Sequence, residues 1–152
     1  MNNIDLENSL IEPNVTDLLQ DRVSIQLDID STKVKSAAHI AQTVDLARII
    51  GKENVARCID PTTDADKELK ELVIPPWLFY THARALRMFN GTLTDSGYIM
   101  SEDAQRGVKQ AKKDADESYS VAEVYLESAI EFLDAETPTT SDDIDRTKLT
   151  PR

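Results

Sequence analysis

The chain has 152 residues, of which 30% are charged and 5% aromatic, and its formal net charge at pH 7 is −11. This length suits one domain, and the composition excludes collagen-like, linker-like and disulfide-scaffold proteins. One cysteine and two histidines do not supply a common structural zinc site, and a pI of about 4.5 argues against tight binding around a DNA duplex.

The hydropathy pattern predicts a soluble protein made in the cytoplasm. The longest run without a charged residue covers twelve positions, 72–83, whereas a membrane-spanning helix needs about 20 apolar residues. The first residues, MNNIDLENSLIEP, lack the basic and apolar regions of a secretory signal. We therefore expect no membrane segment.

Residues 1–32 are predicted to form an N-terminal arm, extended over 1–21 and containing a strand at about 22–29. The strand is indicated by apolar residues at every second position: Val23, Ile25, Leu27 and Ile29. Because a lone strand is not stable, we expect it to pair with another subunit or with a hairpin of its own chain.

Apolar residues at helical spacing follow the arm and predict a domain over 33–136. Pro75 and Pro76 are expected to separate its two middle helices, and Gly51 to end the first. The fold class is thus mainly α, a four- or five-helix domain with a long C-terminal helix, one N-terminal strand or arm and a short loop or hairpin excursion. In chain order, the predicted elements are helices at 33–50, 54–59, 65–73 and 76–89, a loop or small hairpin at 92–100, a helix at 101–136 and a flexible tail at 137–152.

The long last helix carries an apolar stripe from Ala104 to Leu133, and its second half adds Val124 and Tyr125, which we expect in the core. Across the whole domain, the residues predicted to be buried are Leu78, Leu86, Val108, Leu126, Ile130 and Leu133. In the tail, Ile144 and Leu149 are expected to anchor the chain on a partner protein, since its polar composition does not support independent folding.

Residue patterns for catalysis or cofactor binding are absent from the sequence. It contains no metal-binding motif and no glycine-rich phosphate loop. His39 and His82 lie inside predicted helices, as core-edge or surface residues, and Cys58 is expected to be a buried, inert thiol. The sequence therefore predicts a protein that is not an enzyme and holds no cofactor or metal.

Arg84 and Arg87 form a polar line on the otherwise apolar helix 76–89 and require carboxylates, phosphate or solvent nearby. One interpretation is an internal or solvated ion pair; the other is a subunit interface with Glu123, Glu127 and Glu131 of a neighbouring copy. The last helix has its bases first and its acids last, an order that opposes the helix macrodipole. Such an order favours use of these charges across an interface.

The layout of 33–134 resembles the small head-to-tail connector proteins of tailed bacteriophages, also called adaptor, head-completion or ring proteins, and is nearest to those of crAss-like phages. The resemblance rests on an amphipathic helix ending in LARIIG, a short helix after it, the segment IPPWLFYTHARALRMF, the excursion NGTLTDSGYIM and a long Ala-rich helix closing with YLESAIEFLD.

The resemblance implies a virion protein at the head–tail junction, in a ring of about twelve copies between the portal protein and a further tail or ring protein. It also implies that DNA passes through the ring without tight binding, which suits an acidic chain because phosphates are repelled. The alternative is a helical regulatory or scaffolding module that binds a partner protein and has no virion role.

Overall fold

The computed structural model describes residues 6–23, 31–88, 92–94, 97–99 and 102–136, and within these the chain is mainly helical. The mainly α fold class and the long C-terminal helix are confirmed. The elements in chain order are α1 (Leu6–Ser9), α2 (Val15–Val23), α3 (Ser31–Ile40), a π-helical segment (Ala41–Leu46), α4 (Ala47–Ile50), α5 (Lys52–Ile59), α6 (Asp64–Met88), β1 (Thr92–Thr94), β2 (Gly97–Ile99) and α7 (Glu102–Glu136).

The N-terminal segment is helical and belongs to the core, so the prediction of an extended arm is wrong where the structure describes it. Leu10, Ile11, Val15 and Leu19 are all buried. The buried side chain of Gln42 joins this segment to the π-helical segment: its Oε1 accepts a hydrogen bond from the Ile11 amide at 3.1 Å, and its Nε2 donates to the Ser9 carbonyl. The local sequence favours a helix only weakly here, but burial of four apolar side chains stabilises the segment against the core.

The predicted strand is contradicted at its first residue, because Val23 ends α2 as a helical, half-buried residue. Ile25, Leu27 and Ile29 lie outside the described residues, and so do Ile144 and Leu149 of the predicted tail.

Helix α6 runs without interruption through Pro75 and Pro76, whereas the sequence predicted two separate helices. The prolines remove two amide donors, which leaves the carbonyls of Glu71 and Leu72 without their usual partners in the helix. The loss is outweighed by packing: α6 makes its most extensive contacts with α7 and also packs against α3, and Pro76 itself is buried.

The first predicted helix is continuous from Ser31 to Ile50 and ends at Gly51, whose φ of 88° confirms the expected positive-φ end. Its inward face differs from the prediction in the π-helical segment, where Val44 is 49% exposed while Asp45 is 1% exposed. A π turn holds more residues than an α turn. It therefore shifts the phase of the helix and turns Asp45 inward in place of Val44.

The core consists mainly of apolar side chains from α2, α3, α6 and α7, with Trp77 and Tyr80 fully buried at its centre. Of the residues predicted to be buried, Leu78, Leu126, Ile130 and Leu133 are confirmed and Leu86 is half-buried, while the side chain of Val108 lies outside the described residues. The prediction is wrong for Val124 and Tyr125, which are 71% and 48% exposed.

Of the loop and the small hairpin predicted for 92–100, the structure has the hairpin: β1 pairs antiparallel with β2, and Leu93 lies opposite Tyr98. Among the described residues, no helix combines the length and hydropathy that crossing a membrane requires.

Asp66 in the first turn of α6 provides a pH-dependent contribution to stability. The hydrogen bond from Arg57 Nε at 2.6 Å, together with the backbone amides of Thr62 and Thr63, lowers the pKa of Asp66. A carboxyl whose pKa is lowered by folding stabilises the protein above its unfolded pKa of about 3.9, and this contribution is lost as the pH falls further. Urea denaturation at pH 6 and at pH 3 should show a smaller acid-induced loss of stability for Asp66→Asn than for the wild type; equal losses would contradict this assignment.

Candidate functional site

Arg84 is held by a buried carboxylate of its own chain. Its Nε and Nη2 donate to the two carboxylate oxygens of Asp45 at 3.0 and 2.9 Å. The hydrogen bonds to this carboxylate raise the pKa of Arg84 further above its ordinary value. The side chain of Asp45 is 1% exposed and that of Arg84 is 25% exposed, so the pair extends from the core towards the surface. Of the two interpretations of Arg84, the structure supports the internal ion pair.

Arg87, one turn further along α6, lies at the surface beside α7. Its guanidinium carbon is 4.8 Å from the centroid of the Tyr119 ring, and its Nη2 donates to Asp116 at 3.4 Å. The Arg84 guanidinium lies 5.9 Å from the same ring. Both arginines therefore lie close to the ring of Tyr119, whose electron-rich face attracts cations. Because the Arg87–Asp116 pair is exposed, at 43% and 42% of the side chains, it contributes little to stability.

Glu123 and Tyr80 add two buried polar groups close to these arginines. In the part of the chain that the structure describes, Glu123 Oε1 and the Tyr80 hydroxyl have no hydrogen-bond partner. Burial raises the pKa of both side chains; nearby Arg48 partly counteracts this in each, while for Tyr80 the negative charge of Glu123 adds to it. Glu123 is thus a buried residue, and its predicted place in an interface with a neighbouring copy does not suit its 8% exposure.

These residues form a surface that we call the arginine cluster: Arg48, Arg84 and Arg87 around Tyr119. Arg84 is neutralised by Asp45 inside the chain, whereas Arg48 and Arg87 are exposed. The cluster therefore places two exposed arginine side chains on one surface, and a guanidinium group is suited to bidentate contacts with carboxylates.

A second surface lies beside the ring of Tyr125, which stacks on Phe79 with centroids 5.7 Å apart and an angle of 9° between the planes. Together with Val121, which is 37% exposed, these two residues form what we call the aromatic patch. A cavity of about 180 Å³ adjoins it, lined by Arg22, Val23, Pro75, Leu78, Phe79 and Tyr125. A partly exposed aromatic stack beside a cavity is typical of surfaces that bind other proteins.

The two surfaces lie on opposite flanks of α7. With about 100° of rotation per residue, the positions of Asp116, Tyr119 and Glu123 centre about 170° away from those of Val121 and Tyr125. The line between the flanks faces solvent and carries the exposed Glu127 and Glu131. One helix therefore presents two chemically different surfaces in opposite directions.

Histidine and cysteine, which catalysis often uses, lie partly or fully buried in the part of the chain that the structure describes. His82 Nδ1 lies 2.8 Å from Ser118 Oγ, and burial lowers the pKa of this histidine. Cys58 is fully buried, as predicted, and burial raises the pKa of its thiol to about 12. No group of three potential metal ligands occurs among the described residues. The interaction surfaces are thus the candidate sites that the geometry favours.

Sequence reasoning identified Arg84 and Arg87 but missed Asp45 and Tyr119, which hold them. Tyr119 lies in the apolar stripe of α7 and has the appearance of a core residue; an aromatic residue in a stripe otherwise rich in alanine was the available signal. Asp45 gave no signal, since its inward position depends on the π turn.

Compared with protein-family models, with curated proteins and with solved structures, the chain shows no match. The likeness to phage connector proteins therefore rests on the sequence pattern.

Proposed function

We propose that the chain is a non-enzymatic virion protein that assembles into a ring between the portal and the tail of a phage. The observation that carries this proposal is the placement of two unlike surfaces on opposite flanks of α7. Head-to-tail contacts between different surfaces close into rings when the rotation between copies permits it. Contacts between identical surfaces, in contrast, produce closed dimers.

In the proposed ring, the arginine cluster of one copy meets the aromatic patch of the next. Arg48 and Arg87 then pair with Glu127 and Glu131 of that neighbour, which lie on the outward line of its α7 between its two flanks. Arg84 stays with Asp45, and Glu123 stays buried. The interface predicted from the sequence is thereby reduced to its exposed members, Arg87, Glu127 and Glu131, with Arg48 added.

The charge of the chain supports the passage of DNA through such a ring. The 28 acidic and 17 basic residues give a net charge of −11 for each copy, so about twelve copies surround the passage with a strongly negative field. Such a field repels phosphates and prevents tight binding of the transported DNA.

The ring is tested by reversing the two exposed arginines. We expect Arg48→Glu combined with Arg87→Glu to abolish ring formation. At every interface the two new glutamates would then face Glu127 and Glu131 of the neighbour, so that attraction becomes repulsion. The measurement is native mass spectrometry and negative-stain electron microscopy of the chain alone and with the portal protein of the same phage. Lys52→Glu combined with Lys67→Glu, at two exposed positions on α5 and α6, is the control with the same change in net charge.

The outcomes separate the ring from the alternative. Rings for the wild type and the control, and none for the arginine variant, support the proposal. A wild type that forms no ring with the portal protein contradicts it. A one-to-one complex with a single partner protein favours the scaffolding module instead, for which the aromatic patch and its cavity provide a binding surface.

A further inference from the structure

The outward line of α7, between the two flanks, carries an unusual arrangement of charges. Lys109, Lys113, Glu127 and Glu131 are all exposed, and Ser120 lies midway between them. At about 100° per residue, these five positions fall within about 40° of one another around the helix axis. They therefore form one straight line that a second helix can contact along its length.

These charges are not used inside the chain. Among the described residues, none of the four lysine and glutamate side chains forms an ion pair. The bases lie in the N-terminal half of α7 and the acids in its C-terminal half, so one half of the line is basic and the other acidic.

The spacing is symmetric about Ser120. Lys109 and Glu131 are each eleven residues from Ser120, and Lys113 and Glu127 are each seven residues from it. When two α7 helices run antiparallel with their Ser120 residues in contact, Lys109 of each copy faces Glu131 of the other, and Lys113 faces Glu127. A parallel pair in register instead brings Lys against Lys and Glu against Glu.

We propose that two copies of the chain pair through α7, antiparallel, about a two-fold axis at Ser120. The small side chain of serine at the axis permits close approach of the two helices. The pair also covers Val124, which is 71% exposed in one copy. Four ion pairs of two kinds fix the register and the direction, as charges do at coiled-coil interfaces.

The pair and the proposed ring are alternative states, because both use Glu127 and Glu131. In the pair these carboxylates contact lysines of the other copy, whereas in the ring they contact arginines of the neighbouring copy. The pair is therefore the state of the protein outside the ring, and it must open before assembly. The inference does not depend on the ring, since it rests on α7 alone.

Two charge-reversal variants test the pair by sedimentation equilibrium at low salt. Lys109→Glu with Lys113→Glu makes the line all acidic, and Glu127→Lys with Glu131→Lys makes it all basic. The wild type should have twice the mass of one chain. Each variant alone should dissociate at least about tenfold more readily, because four attractions become four repulsions. An equimolar mixture of the two variants should regain a dimer, since an acidic line then faces a basic one.

The direction is tested by mixing Lys113→Cys chains with Glu127→Cys chains under oxidising conditions. An antiparallel pair gives a disulfide between the two different chains, and a parallel pair gives disulfides between identical ones. The control, Lys52→Glu with Lys67→Glu, should keep the dimer. A monomeric wild type, a mixture that stays monomeric, or crosslinks between identical chains overturns the proposal. Loss of the ring in the arginine variant with retention of the pair would separate the two surfaces.

Discussion

Replacing Arg84 by alanine is expected to lower the free energy of unfolding by about 3–5 kcal/mol, because it leaves the carboxylate of Asp45 in the core without its guanidinium. The Asp45 side chain is 1% exposed, and both of its carboxylate oxygens accept hydrogen bonds from Arg84. Urea denaturation followed by circular dichroism measures the loss. A variant as stable as the wild type would show that Arg84 acts only at the surface.

The partner substitution provides the internal control. Asp45→Ala should cost less, about 1–3 kcal/mol, because the Arg84 side chain is 25% exposed and can turn its charged end to water. The double variant should cost less than the sum of the two single variants, since each removes the same interaction. Equal and additive losses would contradict the ion pair.

Periodicity predicted α7 well, because the packing of this helix follows the ordinary helical repeat. In α7, the described residues of the predicted stripe, from Ala111 to Leu133, are buried. The predicted end at Gly51 and the hairpin of β1 and β2 are also confirmed. At these positions the local preference and the tertiary packing favour the same structure.

The prediction was wrong where packing outweighed a local preference. Pro75 and Pro76 disfavour a continuous helix, but α6 packs against both α3 and α7, and these contacts keep it continuous through the two prolines. The exposed Val124 and Tyr125 show the opposite limit: they are apolar, but no described element covers them fully. The apolar character of a residue alone does not distinguish a core residue from one that lies at the surface.

The candidate site was only partly predictable, since its central carboxylate depends on an irregular turn. An uninterrupted α-helix through 41–46 places Val44 on the inward face, whereas the π-helical segment places Asp45 there. Sequence periodicity assumes a constant repeat and therefore misses such a shift. The arginine that Asp45 binds was identified, and an internal ion pair was one of its two interpretations, but the carboxylate that forms the pair was not identified.

Trp77→Ala is expected to cost about 3–5 kcal/mol of unfolding free energy, because it removes the largest side chain of the core and leaves a cavity. Trp77 is fully buried, and its Nε1 donates a hydrogen bond to the Ala38 carbonyl at 3.0 Å, which joins α6 to α3. Trp77→Phe retains most of the volume and should cost less, about 1–3 kcal/mol, chiefly from the lost hydrogen bond and the smaller ring. Urea denaturation followed by circular dichroism at one pH provides both values, since the variants lack the only tryptophan of the chain. Because Trp77 follows Pro76 directly, a Trp77→Ala variant that keeps wild-type stability would mean that α6 is not held through its prolines by packing on α3.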